Sequence, residues 1–154
     1  MMRFDGGSRW WVALLLMAGA VVDPVQLTAQ ATADAALPEE VVRAWEKAGA
    51  TVGWMGIDRQ YGYLRFTYNR EELAEGSAVP AFRLARWQEG RVVKLPAPSK
   101  PFGLDLQSSD VTDTGLKELA KLQQLTTLDL WGTEVTDAGV AELRKALPRW
   151  HIIR

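Results

Sequence analysis

Two aspartates, Asp105 and Asp129, are the residues of this sequence whose type and spacing could support chemistry. Each stands between two leucines in a Leu-Asp-Leu triplet, and the triplets begin 24 residues apart. Side chains alternate between the two faces of a strand, so each aspartate projects away from its leucines. Such a pair could bind a cation or a ligand, or act as a coupled acid–base pair. The simpler interpretation, which we favour, is that both are solvated and that Arg83 bridges to Asp105.

The residue types around these aspartates do not predict an enzyme. No nucleophile, metal-ligand set or enclosed pocket is indicated near them. The chain has no cysteine, and its single histidine, His151, lacks the second ligand that a metal site or a catalytic triad would need. Gly115 and Gly139 do not stand in a phosphate-binding GxGxxG or GxxxxGK pattern. We therefore predict no catalytic residue, no metal and no cofactor.

The elements that position the two aspartates belong to an internal repeat. At an offset of 24 residues, ten positions are identical in the two copies, counting from the first copy: Leu104, Asp105, Leu106, Val111, Thr112, Asp113, Gly115, Glu118, Leu119 and Lys121. A period in the twenties that opens on Leu-x-Leu is typical of a leucine-rich repeat. Each unit predicts a short strand, a turn, and a helix whose first turn is capped by Thr112 or Thr136.

The string VTDTGLKELAKLQQLTTLDLWGTEVTDAGV, residues 111–140, resembles bacterial leucine-rich repeat proteins of the ribonuclease-inhibitor-like type. The resemblance covers residues 102–154. Ser109 and Thr133 occupy the position where many such repeats carry asparagine. What the resemblance implies is an α/β fold, a short leucine-rich-repeat solenoid with a parallel sheet on one face and helices on the other, and a binding module.

The first 31 residues read as a signal peptide. Arg3 and Arg9 precede the apolar run Trp10–Val22, with cleavage preferred after Ala31 and a competing site after Ala20. An uncleaved membrane anchor is the alternative, although the run is shorter than the roughly 20 apolar residues that a spanning helix needs. The sequence therefore predicts an exported protein, periplasmic or extracellular, with a disordered spacer at residues 32–37.

An amphipathic helix is predicted over residues 38–50, which open on Pro38 followed by Glu39 and Glu40. We expect this helix to cap the N-terminal end of the solenoid, because such arrays need their open ends covered.

Residues 51–101 form a degenerate, repeat-like and β-rich segment with candidate strands at Val52–Ile57, Tyr63–Tyr68 and Ala81–Trp87. One topology pairs 82–87 with 91–95 as a hairpin. The preferred topology treats residues 64–66 and 82–84 as degenerate Leu-x-Leu strands, which would make five to six parallel strands ending at Trp150–Arg154.

The outward side chains of these strands predict the binding surface. One row would run through Arg65, Arg83, Asp105, Asp129 and Ile153, and Gln107 and Trp131 would stand in the neighbouring row. We expect partner contacts at Arg65, Arg83, Asp105, Gln107, Asp129 and Trp131. Trp131 could instead pack over the loop after the last strand, near Trp150.

These features predict an exported, non-enzymatic module that binds a protein or peptide over its sheet face. The near balance of 18 basic and 19 acidic residues gives no reason to expect nucleic acid. Two alternatives remain open: an assembly protein that stacks end to end through Ile152 and Ile153, and a hydrolytic or cation-binding site at Asp105 and Asp129. A monomer is expected, and contact with a membrane only through the signal peptide.

Overall fold

The computed structural model of the chain describes residues 36–147 and 151–154. Within these residues lie three α-helices and six strands: α1 (Glu39–Lys47), β1 (Thr51–Ile57), β2 (Leu64–Thr67), β3 (Val79–Arg83), β4 (Phe102–Asp105), α2 (Asp113–Leu119), β5 (Leu125–Asp129), α3 (Asp137–Ala146) and β6 (His151–Ile153). The predicted signal peptide lies outside the described residues. None of the described helices is long and apolar enough to cross a membrane.

The six strands form one mixed sheet in the order β2-β1-β3-β4-β5-β6. Strand β1 runs antiparallel to both β2 and β3, whereas β3, β4, β5 and β6 are parallel to one another. The expected parallel-sheet solenoid is therefore wrong, although the fold is α/β. The physical reason is the short turn between β1 and β2, where Asp58 Oδ1 accepts the N–H groups of Gln60 and Tyr61. So short a connection can join only antiparallel strands.

The register of the parallel strands follows the periods seen in the sequence. Phe82 pairs with Leu104, Leu104 with Leu128, and Leu128 with Ile152. The parallel pairing expected between residues 82–84 and 104–106 is thus confirmed. The hairpin topology is wrong, because Val92–Lys94 forms a 3-10 helix rather than a strand. The repeat reading of residues 64–66 is also wrong, because β2 pairs with β1 and not with a parallel neighbour.

The main core lies between the helices and one face of the sheet. Leu104, Leu128 and Leu119 are fully buried there, as the repeat predicts. Helix α1 adds Trp45, whose ring stacks on Phe82 at 4.3 Å between centroids. The helix was expected to cap an end of a solenoid, but it packs on this sheet face. Beyond the first parallel strand, β3, the sheet continues with β1 and β2, which run antiparallel.

A smaller apolar cluster occupies the opposite face, formed by Met55, Leu64, Phe66 and Ala81 with Ile153 packed against it. Ile153 belongs to the edge strand β6, far from β2 in strand order, so the sheet must curl to bring them together. Small residues on this inner face permit the curl. A Cβ at Gly103 would lie 2.9 Å from the Met55 sulfur. The sheet accordingly forms a curled half-barrel.

Candidate functional site

The inner face of the curled sheet carries a groove of about 400 Å³, which we call the concave groove. The residues that line it are aliphatic, aromatic, polar and charged: Tyr63, Leu64, Arg65, Phe66, Arg83, Gln107, Asp129, Trp131 and Ile153. Five of the six residues predicted to contact a partner are among them. The sixth, Asp105, lies next to the groove and holds Arg83.

Asp105 and Arg83 form an ion pair between β3 and β4. Asp105 Oδ2 accepts Arg83 Nε at 2.7 Å and lies 2.6 Å from Nη2 of the same guanidinium. The other oxygen, Oδ1, accepts the backbone N–H of Gln107 at 2.9 Å. The Arg83 guanidinium also lies over the Phe66 ring, 4.3 Å from its centroid. The predicted bridge from Arg83 to Asp105 is confirmed, and it fixes the guanidinium against the groove wall.

Asp129 accepts a backbone N–H from the residue two positions later, as Asp105 does, but it forms no ion pair with a described residue. The two aspartates are register partners on adjacent strands, and the residue beyond Asp129 is Ile153. Asp129 Oδ1 accepts the N–H of Trp131 at 2.9 Å, while Oδ2 accepts no hydrogen bond from any residue in the described ranges. The expectation that both aspartates are solvated is wrong. They are 1% and 7% exposed, because the sheet curls around them.

This environment raises the pKa of the Asp129 carboxyl above its ordinary value. The largest cause is burial, which penalises the charged form, and the neighbouring Asp105 carboxylate adds to it. The Trp131 N–H and the Arg83 guanidinium act in the opposite direction. Ionisation of Asp129 therefore lowers the stability of the folded protein.

Asp129→Asn is expected to raise the free energy of unfolding at pH 7 by about 0.5–1 kcal/mol, because it removes a buried charge and its like-charge contact with Asp105. Because folding raises the pKa of Asp129, the folded chain binds this proton more tightly than the unfolded chain does. The loss of stability caused by ionising Asp129 therefore grows as the pH rises from about 4, the ordinary pKa of an aspartate. The advantage of the variant should therefore vanish near pH 4. Urea unfolding at both pH values measures it, with exposed Glu134→Gln as the control. A variant less stable than the parent at pH 7 would contradict the argument.

Arg65 does not join the predicted row of side chains. It alternates along β2 with Leu64 and Phe66, whose side chains face the inner cluster, so its own side chain leaves the other face. There it pairs with Asp58 at 3.1 Å and with Glu72. Strand β1 also separates β2 from β3. Arg65 is among the residues that line the groove, but its guanidinium does not stand beside that of Arg83.

Trp131 and Gln107 lie on the open side of the concave groove. Trp131 is 58% exposed, and Trp150, against which it was alternatively expected to pack, lies outside the described residues. Gln107, which occupies the same position one repeat earlier, is also exposed. An exposed tryptophan beside an apolar wall provides the kind of anchor on which protein interfaces depend.

Sequence reasoning missed the apolar half of the concave groove, which comes from Tyr63, Leu64 and Phe66. Their alternation indicated a strand, but nothing in it showed that β2 faces the inner cluster. Only the packing of Ile153 against the cluster that contains Phe66, at the opposite end of the strand order, would have revealed the curl. Ile152 and Ile153, expected to mediate end stacking, are both half-buried against the two cores of the chain itself.

No metal site is indicated by the described residues, among which no group of three or more His, Asp or Glu side chains could hold an ion. Both oxygens of Asp105 are already engaged by Arg83 and Gln107. His151 is exposed on β6. A site built on the two aspartates would therefore have Asp129 Oδ2 as its free ligand atom.

Comparison with known proteins does not assign the chain to a family: no family model, no curated protein and no solved structure matches it at a significant level.

Proposed function

We propose that this protein is a non-enzymatic binding module that holds a protein or peptide segment in the concave groove. The observation that carries the proposal is Trp131, a large aromatic side chain left 58% exposed at the mouth of the groove. Surface aromatics with a neighbouring apolar wall are the residues that most often dominate binding energy at protein interfaces.

The chemistry of the groove supports binding rather than turnover. Its charged groups are Arg65, which is paired with Asp58 and Glu72, Arg83, which is paired with Asp105, and Asp129. The Asp129 carboxyl accepts one hydrogen bond from the described chain, from the backbone N–H of Trp131. Among the described residues, neither carboxyl is hydrogen-bonded to a side chain that could serve as a nucleophile. An arrangement of this kind can orient a ligand by hydrogen bonds and apolar contact, but it lacks the paired base and nucleophile that group transfer requires.

The wider assignment rests on the sequence. The repeat at residues 104–147 resembles bacterial leucine-rich repeats, and the apolar N-terminus resembles a signal peptide. We therefore place the proposed module outside the cytoplasm, in the periplasm or beyond the cell, as a monomer that uses its inner sheet face.

A photo-crosslinking amino acid at Gln107 tests the proposal directly, because this side chain is exposed and lines the concave groove. We expect crosslinking in the producing cells to yield one or a few defined adducts. The matched control places the same group at Lys117, on the depression between α2 and α3. Identical adducts from both positions, or none from Gln107, would contradict a specific role for the groove.

Trp131→Ala is expected to weaken capture of the crosslinked partner by about 2 kcal/mol, close to thirtyfold in affinity, since hot-spot aromatics contribute at that level. The fold should be unaffected, because the side chain is mostly exposed. Val93→Ala is the control, as Val93 is an exposed apolar residue away from the groove. Affinity measured with the purified partner should fall for the first variant only; equal affinities for the two would remove Trp131 from the interface.

A further inference from the structure

One copy of the aspartate site is already occupied by a guanidinium that the chain itself supplies. Asp105 Oδ1 accepts the N–H of Gln107, and Oδ2 takes two nitrogens of Arg83 at 2.7 and 2.6 Å. The guanidinium is held from its other side by the Phe66 ring at 4.3 Å. A carboxylate, a backbone N–H and an aromatic face together define a site for a planar cation.

The second copy has the same carboxylate but no cation. Asp129 Oδ1 accepts the N–H of Trp131 at 2.9 Å, as Asp105 does with Gln107 one repeat earlier. Oδ2, the oxygen that would correspond to the one bound by Arg83, accepts no hydrogen bond from the described part of the chain. The side chain is more than nine-tenths buried and lines the concave groove. The residue beyond it in register is the apolar Ile153, which cannot supply a charge.

An unpaired buried carboxylate is costly, and a charge-assisted hydrogen bond to it is correspondingly strong. Of the two arginines that line the groove, Arg83 is engaged by Asp105 and Arg65 by Asp58 and Glu72, so the Asp129 carboxylate has no ion-pair partner among the described residues. Trp131 lines the same groove with its ring exposed, and an indole face attracts cations. The second site therefore has a carboxylate and a backbone N–H like the first, with an exposed indole lining the same groove, but it has no guanidinium from the described residues.

We propose that Asp129 and Trp131 bind a basic side chain of a peptide segment, arginine in the first place, in the manner in which Asp105 holds Arg83. This inference rests on the proposed function, because it names the chemistry of the ligand for the same groove. Arginine fits better than lysine, since its planar fork can give two donors to one carboxylate and stack on an aromatic ring. The apolar wall of Phe66 and Ile153 would accept an aliphatic residue beside it.

Selection of random 12-residue peptides displayed on phage, against the immobilised full chain, tests the inference. We expect enriched peptides to share an arginine or lysine at one position. The same selection on Asp129→Asn, which keeps the acceptor for the Trp131 N–H but removes the charge, should lose that preference. Glu134→Gln removes an equal charge from an exposed side chain outside the groove and should retain it.

The best peptide is then compared with a version in which citrulline, the neutral analogue, replaces arginine. Fluorescence anisotropy should show affinity for the parent protein falling about tenfold, the equivalent of about 1.4 kcal/mol, and no difference for Asp129→Asn.

The outcomes separate the inference from the function on which it rests. Peptides whose binding depends on Trp131 but which share no basic residue would overturn the inference. They would still support the proposed binding module. A basic preference that persists in Asp129→Asn would also overturn it, since the cation would then pair elsewhere. If no peptide is enriched over uncoated support, both the inference and a peptide-binding groove are refuted.

Discussion

Trp45→Ala should lower the free energy of unfolding by about 3–5 kcal/mol, the cost of emptying a large aromatic site in a packed core. Trp45 is fully buried, stacks on Phe82 and meets Phe102 edge-on. Its indole N–H also donates to the carbonyl of Pro96 at 3.0 Å, which ties the segment before β4 to α1. A loss of this size is a large fraction of the 5–15 kcal/mol that stabilises an ordinary domain.

Trp45→Phe separates the contributions to that loss. It keeps a stacking ring but leaves the Pro96 carbonyl without its donor, so we expect a cost of about 1–2 kcal/mol. Urea denaturation followed by circular dichroism measures both variants. If alanine cost no more than phenylalanine, α1 would be a weakly attached helix, and its packing over Phe82 would not be part of the stable fold.

The repeat could be placed from the sequence because identical residues at a fixed offset define both an element and its neighbour. Leu104 and Leu128 had to lie on adjacent strands once the intervening residues formed a turn and a helix. The pairing of Arg83 with Asp105 followed from the same logic at a slightly shorter offset. For these strands the local sequence pattern and the pairing between strands pointed to the same arrangement, so their parallel pairing could be predicted.

The N-terminal strands could not be placed in the same way. Alternation in residues 51–57 and 64–67 identified strands but carried no information on their direction, which the short turn at Asp58 decides. The curl of the sheet also left no local signal, because it depends on Met55 lying over Gly103 and on Ile153 reaching the cluster around Phe66. The burial of Asp129 is a consequence of that curl and was missed with it.

Arg83→Met is expected to cost about 2–4 kcal/mol at pH 7, the second large effect. The change removes the counter-charge of Asp105, which is 1% exposed and lies beside Asp129 in register. Breaking a buried ion pair from one side typically costs 3–5 kcal/mol, because the other charge stays buried without compensation. We lower the figure because the Arg83 side chain is 35% exposed and water screens part of the interaction.

Two further variants test whether the unpaired charge of Asp105 causes the loss of stability in Arg83→Met. Arg83→Lys keeps a cation near Asp105 but loses the two-nitrogen contact and the flat packing on Phe66, so we expect a loss of about 1 kcal/mol. Asp105→Asn placed on Arg83→Met removes the stranded charge and should recover at least about 1 kcal/mol, measured by urea denaturation in a double-mutant cycle. If the two changes were simply additive, the ion pair would contribute nothing, and the destabilisation would come from lost packing against Phe66. Recovery would instead mean that a carboxylate in this row needs a cation. Asp129, one strand further along, has Ile153 as its register partner and forms no ion pair with a described residue.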